Sequence, residues 1–149
     1  MQYQPRTQSL ILTAGEKARQ LGHSYVGSVH LLLALAQAPG TAGNLLNGSG
    51  FDADAAGAMA AVLYGKGTPG LPLPQGFSNQ ARRILRGAGQ EARRLKCRQV
   101  GNVHILLSLL RQEKTAARDI LILSNVDTEE LFSCAVEQLR WESTMPIRQ

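Results

Sequence analysis

The sequence predicts an all-α protein of eight helices, built as two pseudo-symmetric four-helix repeats joined by a Gly/Pro-rich linker, and three observations predict it. Residues 14–36 (AGEKARQLGHSYVGSVHLLLALA) and residues 88–110 (AGQEARRLKCRQVGNVHILLSLL) superpose at a constant offset of 74 without a gap. Apolar residues within both copies recur at helical spacing. No segment alternates convincingly at period 2, so no sheet is expected. A unit written twice buries a similar apolar face twice, and function is to be sought on surfaces that the doubling creates.

The elements follow in order. Leu10, Ile11, Ala14, Ala18 and Leu21 form one stripe of a long amphipathic helix, and Ile84, Leu85, Ala88, Ala92 and Leu95 repeat it in the fifth. Ser28 and Asn102 each follow a glycine and precede Val, His and an apolar run. Both accept a hydrogen bond from free amides and are read as N-caps of the second and sixth helices, which run to about Gln37 and Gln112. These two helices are apolar on most sides and therefore central. Thr41 and Thr115 open the third and seventh helices, with one residue inserted in the second copy that moves the offset to 75. Asp52 and Asp127 then cap the fourth and eighth. The eighth carries Leu131, Phe132, Ala135, Val136 and Leu139 at core spacing, whereas the fourth is Ala-rich and holds Gly57, so it should be the weaker. Between the copies GKGTPGLPLPQG holds four glycines and three prolines, which no regular helix tolerates. The expected division is repeat one over 3–64, a linker over 65–76 and repeat two over 77–142, within a single domain of 149 residues.

Composition narrows the function classes. No apolar run approaches the roughly 20 residues that span a bilayer, and MQYQPRTQSL lacks the order of a secretory signal. A cytoplasmic chain without a membrane partner is expected. Cys97 and Cys134 have no CxxC spacing, which argues against a disulfide framework or structural zinc, and both are read as ordinary thiols. The net charge of +5 is unevenly spread: residues 78–98 hold Arg82, Arg83, Arg86, Arg93, Arg94, Lys96 and Arg98 against Glu91 alone. Such a run is usually a solvated face and sometimes an anion site. His30 and His104 invite a metal or acid–base reading. They sit just inside helix N-termini, however, and the reading adopted is that each ring packs between helices and donates one hydrogen bond. No nucleophile signature is present, and catalytic, cofactor and metal sites are all expected to be absent. Trp141 is read as a terminal packing residue.

An aromatic residue, a long helix with KAR or EAR, LGH in the first copy, then G-[ST]-x-H-[LI]-L-L and a short helix ending before the caps resembles the Clp N-terminal domain. That domain is the duplicated helical module at the front of AAA+ unfoldases of the ClpA, ClpB and ClpC type. The resemblance covers about residues 3 to 140, and LGHSYVG resembles the ClpC branch more than the others. It implies a binding module and no enzyme, one that receives adaptor proteins and unfolded or tagged substrates and passes them to the ATP-driven ring. The chain has no GxxxxGK[ST] loop to cradle nucleotide phosphates, so that ring would act in cis, on a longer polypeptide, or in trans. The isolated domain is expected to be monomeric.

The resemblance also implies particular residues. ClpC-type domains read G-T-E-H at the start of the second helix of each unit, and both glutamates bind the guanidinium of phosphoarginine. Here Val29 and Val103 stand in those places. Valine offers no acceptor to a guanidinium, a loss worth roughly 2–5 kcal/mol of binding. Ser78 and Arg82 match phosphate-side positions of the second site, and Gln4 replaces the usual threonine of the first. Phosphoarginine recognition is therefore expected to be weak or absent. The valines, flanked by Tyr3 and Phe77, could instead form two apolar patches that grip polypeptide, or they could be partly buried residues of the capping turns. The docking reading uses Tyr3, Gln4, Val29, Phe77, Ser78, Arg82 and Val103, with the groove between the halves. The alternative is a nucleic-acid or acidic-ligand binder whose phosphate contacts are Arg82, Arg83, Arg86, Arg93 and Arg94. The absence of aromatics inside the basic run argues against a stacking platform for single strands.

Overall fold

A computed structural model of the chain describes residues 2–65, 67 and 76–144, with side chains up to Trp141. Most of the linker expected over 65–76 lies outside the described residues. The first repeat contains β1 (Gln2–Tyr3), α1 (Pro5–Gln20), α2 (Ser28–Gln37), α3 (Thr41–Gly48) and α4 (Ala53–Tyr64). The second contains α5 (Asn79–Arg94), β2 (Gln99–Val100), α6 (Asn102–Arg111), α7 (Ala116–Leu123) and α8 (Thr128–Thr144). Helix bounds repeat at an offset of 74 for α1/α5 and α2/α6, and the starts of α3/α7 and α4/α8 repeat at 75. The inserted residue is absorbed in the turn before α7.

Burial repeats with the same register. Leu10, Ala14 and Ala18 of α1 are buried, and so are Ile84, Ala88 and Ala92 of α5. The two glycine-led helices are the core: Val29 through Ala36 of α2 and Val103 through Leu110 of α6 are buried without a break. α1 packs on α2, α5 on α6, and α2 and α6 meet at the centre. Small residues on α1 and α5 let them approach the bulky central pair, as close packing requires. The stripe ends sooner than its period implies. Leu21 and Leu95 are C-caps, and Leu95 is exposed. α4 buries only Ala56 and Ala60 where α8 buries Leu131 and Ala135, which fits its expected weakness. Trp141 is 61% exposed and does not close the end of α8 by burial, contrary to its expected packing role.

The expectation of no sheet needs correction. β1 pairs in parallel with β2, Tyr3 opposite Val100, and the Gln4 amide donates to the Val100 carbonyl at 2.9 Å. The pseudo-equivalent contact is a parallel bridge between Val26 and Phe77, where Val26 N–H donates to Gly76 O and Ser78 N–H to Val26 O. The leading segment of each repeat thus lies along the loop of the other. Two-residue strands are too short to produce an alternation in sequence, which is why the pattern missed them.

Candidate docking clefts at two helix N-termini

Both predicted N-caps shift by one residue. Gly27 and Gly101 hold the extended cap conformation, and Ser28 and Asn102 are the first residues of their helices. The reciprocal half of the cap comes from the histidines: Gly27 N–H donates to His30 Nδ1 at 2.7 Å, and Gly101 N–H to His104 Nδ1 at 2.8 Å. A side chain three residues into a helix reaching back to the cap amide is the logic of a capping box, with imidazole in place of Glu or Gln. Each histidine therefore accepts, rather than donates, the bond to its own turn. With Nδ1 accepting, the His30 proton lies on Nε2, which meets His23 Nδ1 at 2.8 Å, and His23 Nε2 in turn donates to Gly65 O at 2.8 Å. Burial, with a lesser contribution from His23, pushes the His30 pKa from 6.5 down to about 4. Gly40 similarly takes the cap position expected for Thr41, whereas Thr115, Asp52 and Asp127 accept amide hydrogen bonds from their helices as predicted.

Beside each histidine cap opens a cleft. The first, about 320 Å³, is lined by His23, Gly27, Ser28, Val29, His30, Ala60, Tyr64, Ser78, Asn79, Gln80 and Ala116. The second, about 220 Å³, is lined by Gln4, Arg6, Pro39, Gly40, Thr41, Ala42, Cys97, Gly101, Asn102, Val103, His104 and Leu139. The two are related by the duplication, pairing Ser78 with Gln4, Gln80 with Arg6, His23 with Cys97 and Tyr64 with Leu139. Because the leading segments cross over, the cleft beside α2 takes its rim from repeat two, and the cleft beside α6 takes its rim from repeat one. The structure thus groups Val29 with Ser78, and Val103 with Gln4.

Val29 and Val103 are only 6% and 9% exposed. They are cleft-floor residues of the capping turns, not open apolar patches. Tyr3 and Phe77 are half-buried in the crossed segments and pack against the core. Arg82 is exposed on α5, its amide donating to Ser78 O, while Ser78 Oγ caps α5 by accepting from Ala81 N–H at 3.1 Å. The rim of the first cleft is already knitted together. Ser28 Oγ donates to Gln80 Oε1 and accepts from Ala117 N–H, and Gln80 Oε1 also accepts from Ala116 N–H. Among the described residues, no carboxylate lines either cleft.

Sequence reasoning missed two buried features. Glu91 is 4% exposed between α5 and α6, where it accepts from Arg94 and Arg111, and Arg111 also stacks 4.8 Å from the centre of the Phe132 ring. The His23–His30 contact was equally invisible, because Cys97 takes the place of His23 in the second copy. Cys97 is half-buried and Cys134 exposed, both as free thiols. Among the described residues no group of three or more His, Cys, Asp or Glu could hold a metal ion, and no helix is long and apolar enough to cross a membrane.

Doubled helical units, crossed leading segments and two equivalent clefts define a repeat-built helical domain. The chain matches the Clp repeat (R) N-terminal domain over residues 2–68 and 76–142 and belongs to that family of Clp AAA+ chaperone N-domains. It is 33% identical over 120 residues to the chloroplastic chaperone protein ClpC3 of Oryza sativa subsp. japonica, a match covering 80% of this chain and 13% of that protein. The chloroplastic ClpC of Pisum sativum is also 33% identical, over 113 residues, covering 75% of this chain and 12% of that one. The chain thus spans about an eighth of the length of these relatives. In fold it is similar to the N-terminal domain of ClpD from Arabidopsis thaliana, with a TM-score of 0.79, 22% identity and coverage of 93% and 95% of the two chains. It is likewise similar to the Hsp104 N-terminal domain of Candida albicans, with a TM-score of 0.71, 21% identity and coverage of 93% and 91%.

Proposed function

We propose that the chain is a non-catalytic docking module that receives adaptor proteins and unfolded or tagged substrates for a Clp-type ATP-driven unfoldase, without phosphoarginine recognition. The observation that carries this reading is the pair of equivalent clefts, each with a valine floor and an uncharged or cationic rim. An apolar floor ringed by hydroxyl and amide groups accepts an aliphatic side chain together with its backbone. A guanidinium placed there meets no carboxylate and loses its hydration without compensation. The crossed segments add to the reading, because they make both clefts joint products of the two repeats. The ring itself acts in cis or in trans.

Two titrations test this. The chain should bind a permanently unfolded, fluorescently labelled polypeptide, and free phosphoarginine should neither compete nor give calorimetric heat at micromolar concentration. The double variant Val29→Glu, Val103→Glu restores an acceptor to each floor and should gain phosphoarginine affinity, at a stability cost of about 1–3 kcal/mol for the partly buried carboxylates. Micromolar phosphoarginine binding by the unaltered chain would refute the reading of the valines. Failure to hold unfolded polypeptide would refute the docking role.

A further inference from the structure

The exposed face of α5 is the strongest charge feature of the described residues. With seven basic residues against one acidic, residues 78–98 carry +6, so the chain's net +5 leaves −1 for everything else. At about 100° per residue, Arg82, Arg83, Arg86, Arg93 and Arg94 fall within one sector of about 120°, opposite the buried Ala81, Ala88 and Ala92. All five are exposed. The acid of this stretch, Glu91, points inward and is held by Arg94 and Arg111, so it leaves most of the outer face uncompensated.

The duplication supplies an internal control. α1 has the same length and the same buried register, yet carries Gln8, Ser9, Leu12, Arg19 and Gln20 where α5 has its five arginines. The arginine common to both, Arg19, pairs in α1 with Glu16, whereas its counterpart Arg93 has Gln90 at that place. Like charges spaced three or four apart on a helix destabilise it by a few tenths of a kcal/mol per pair, and cations near its N-terminus oppose the helix dipole. α5 bears both costs, whereas α1 has a single cation, Arg6, in its first turn and no like charges at that spacing. An uncompensated, one-signed sector on only one of two otherwise equivalent helices is the mark of a partner that supplies the missing charge.

We infer that this face of α5 is a second docking surface, distinct from the clefts, for an acidic polypeptide segment. Arg83 to Arg94 extends over about 16 Å, the length of three turns of a partner helix carrying carboxylates at i, i+4, i+7 and i+11. Planar guanidinium groups suit carboxylates through paired hydrogen bonds. A nucleic acid fits less well. The run has no aromatic side chain for base stacking, and the remainder of the chain, at a net charge of −1, adds no overall attraction for a long polyanion.

The test uses fluorescence anisotropy of the full chain with a peptide of roughly 16 residues bearing glutamates at that spacing, beside the same peptide with glutamines. The acidic peptide should bind about tenfold more tightly at low salt and lose that advantage at moderate salt. The triple variant Arg83→Gln, Arg86→Gln, Arg93→Gln should abolish the difference. Gln90→Glu, which gives Arg93 a local partner as Glu16 does for Arg19, should reduce it. Circular dichroism should show both variants folded, since α1 folds without those charges, and binding of unfolded polypeptide at the clefts should be unchanged. Equal binding of the two peptides, undiminished binding by the triple variant, or displacement of the acidic peptide by a lower concentration of an equally charged oligonucleotide would overturn the inference.

Discussion

At the residue scale, His30 shows how a side chain that looks chemical can be structural. Its Nδ1 accepts the Gly27 amide and its Nε2 donates to His23, so protonating the ring removes the acceptor on which the cap depends. The folded pKa of about 4 lies below the ordinary 6.5. The associated stability is therefore complete above pH 6.5 and lost as pH falls from there towards 4, reaching roughly 3 kcal/mol at most. The urea midpoint should drop between pH 7 and pH 5, and His30→Gln, which can still reach back to the cap amide, should flatten that slope. An unchanged slope in the variant would place the titration elsewhere. The repetition of histidine was legible in sequence, but its role was not, because a backbone amide three residues away leaves no trace in residue types. Likewise the valines could be read as the loss of a carboxylate, while their burial depended on helices packed from both copies.

At the element scale, the helices were largely legible because each copy checks the other: an apolar period found twice at one offset is hard to produce by chance. What escaped were the caps of α2, α3 and α6, displaced by one residue onto Gly27, Gly40 and Gly101, and the two-residue strands. The helix ends carry a further difference between the copies. Gly22 closes α1 and Gly50 follows α3 at φ 71° and 92°, whereas Lys96 and Asn125 adopt φ 58° and 60° after α5 and α7. Lysine pays a steric penalty of roughly 1–2 kcal/mol in that left-handed region, partly offset by the greater unfolded-state entropy of glycine. Lys96→Gly should accordingly stabilise the chain by about 0.5–1 kcal/mol, seen as a raised urea midpoint with an unchanged denaturant slope. A lowered midpoint would mean that the lysine side chain does more at this position than close a helix.

At the scale of the whole molecule, the twofold character follows from two copies pressing α2 against α6, and it was readable from the repeat alone. The crossing of the leading segments was not, since pairing between residues nearly a hundred positions apart is set by the assembled core. Because each repeat borrows from the other a backbone partner and a cleft rim, neither should be stable by itself. Fragments covering 1–64 and 77–149 should each show little helix by circular dichroism and recover it on mixing. Either fragment folding independently would contradict the account. The crossed pairing also fixes an order of events during synthesis. Tyr3 leaves the ribosome long before Val100, so the nascent first repeat has no partner for its leucine-lined second helix until the second repeat has emerged. A protein assembled in this way spends its infancy sticky, and its yield should depend on the speed of translation and on whatever shelters unfinished chains.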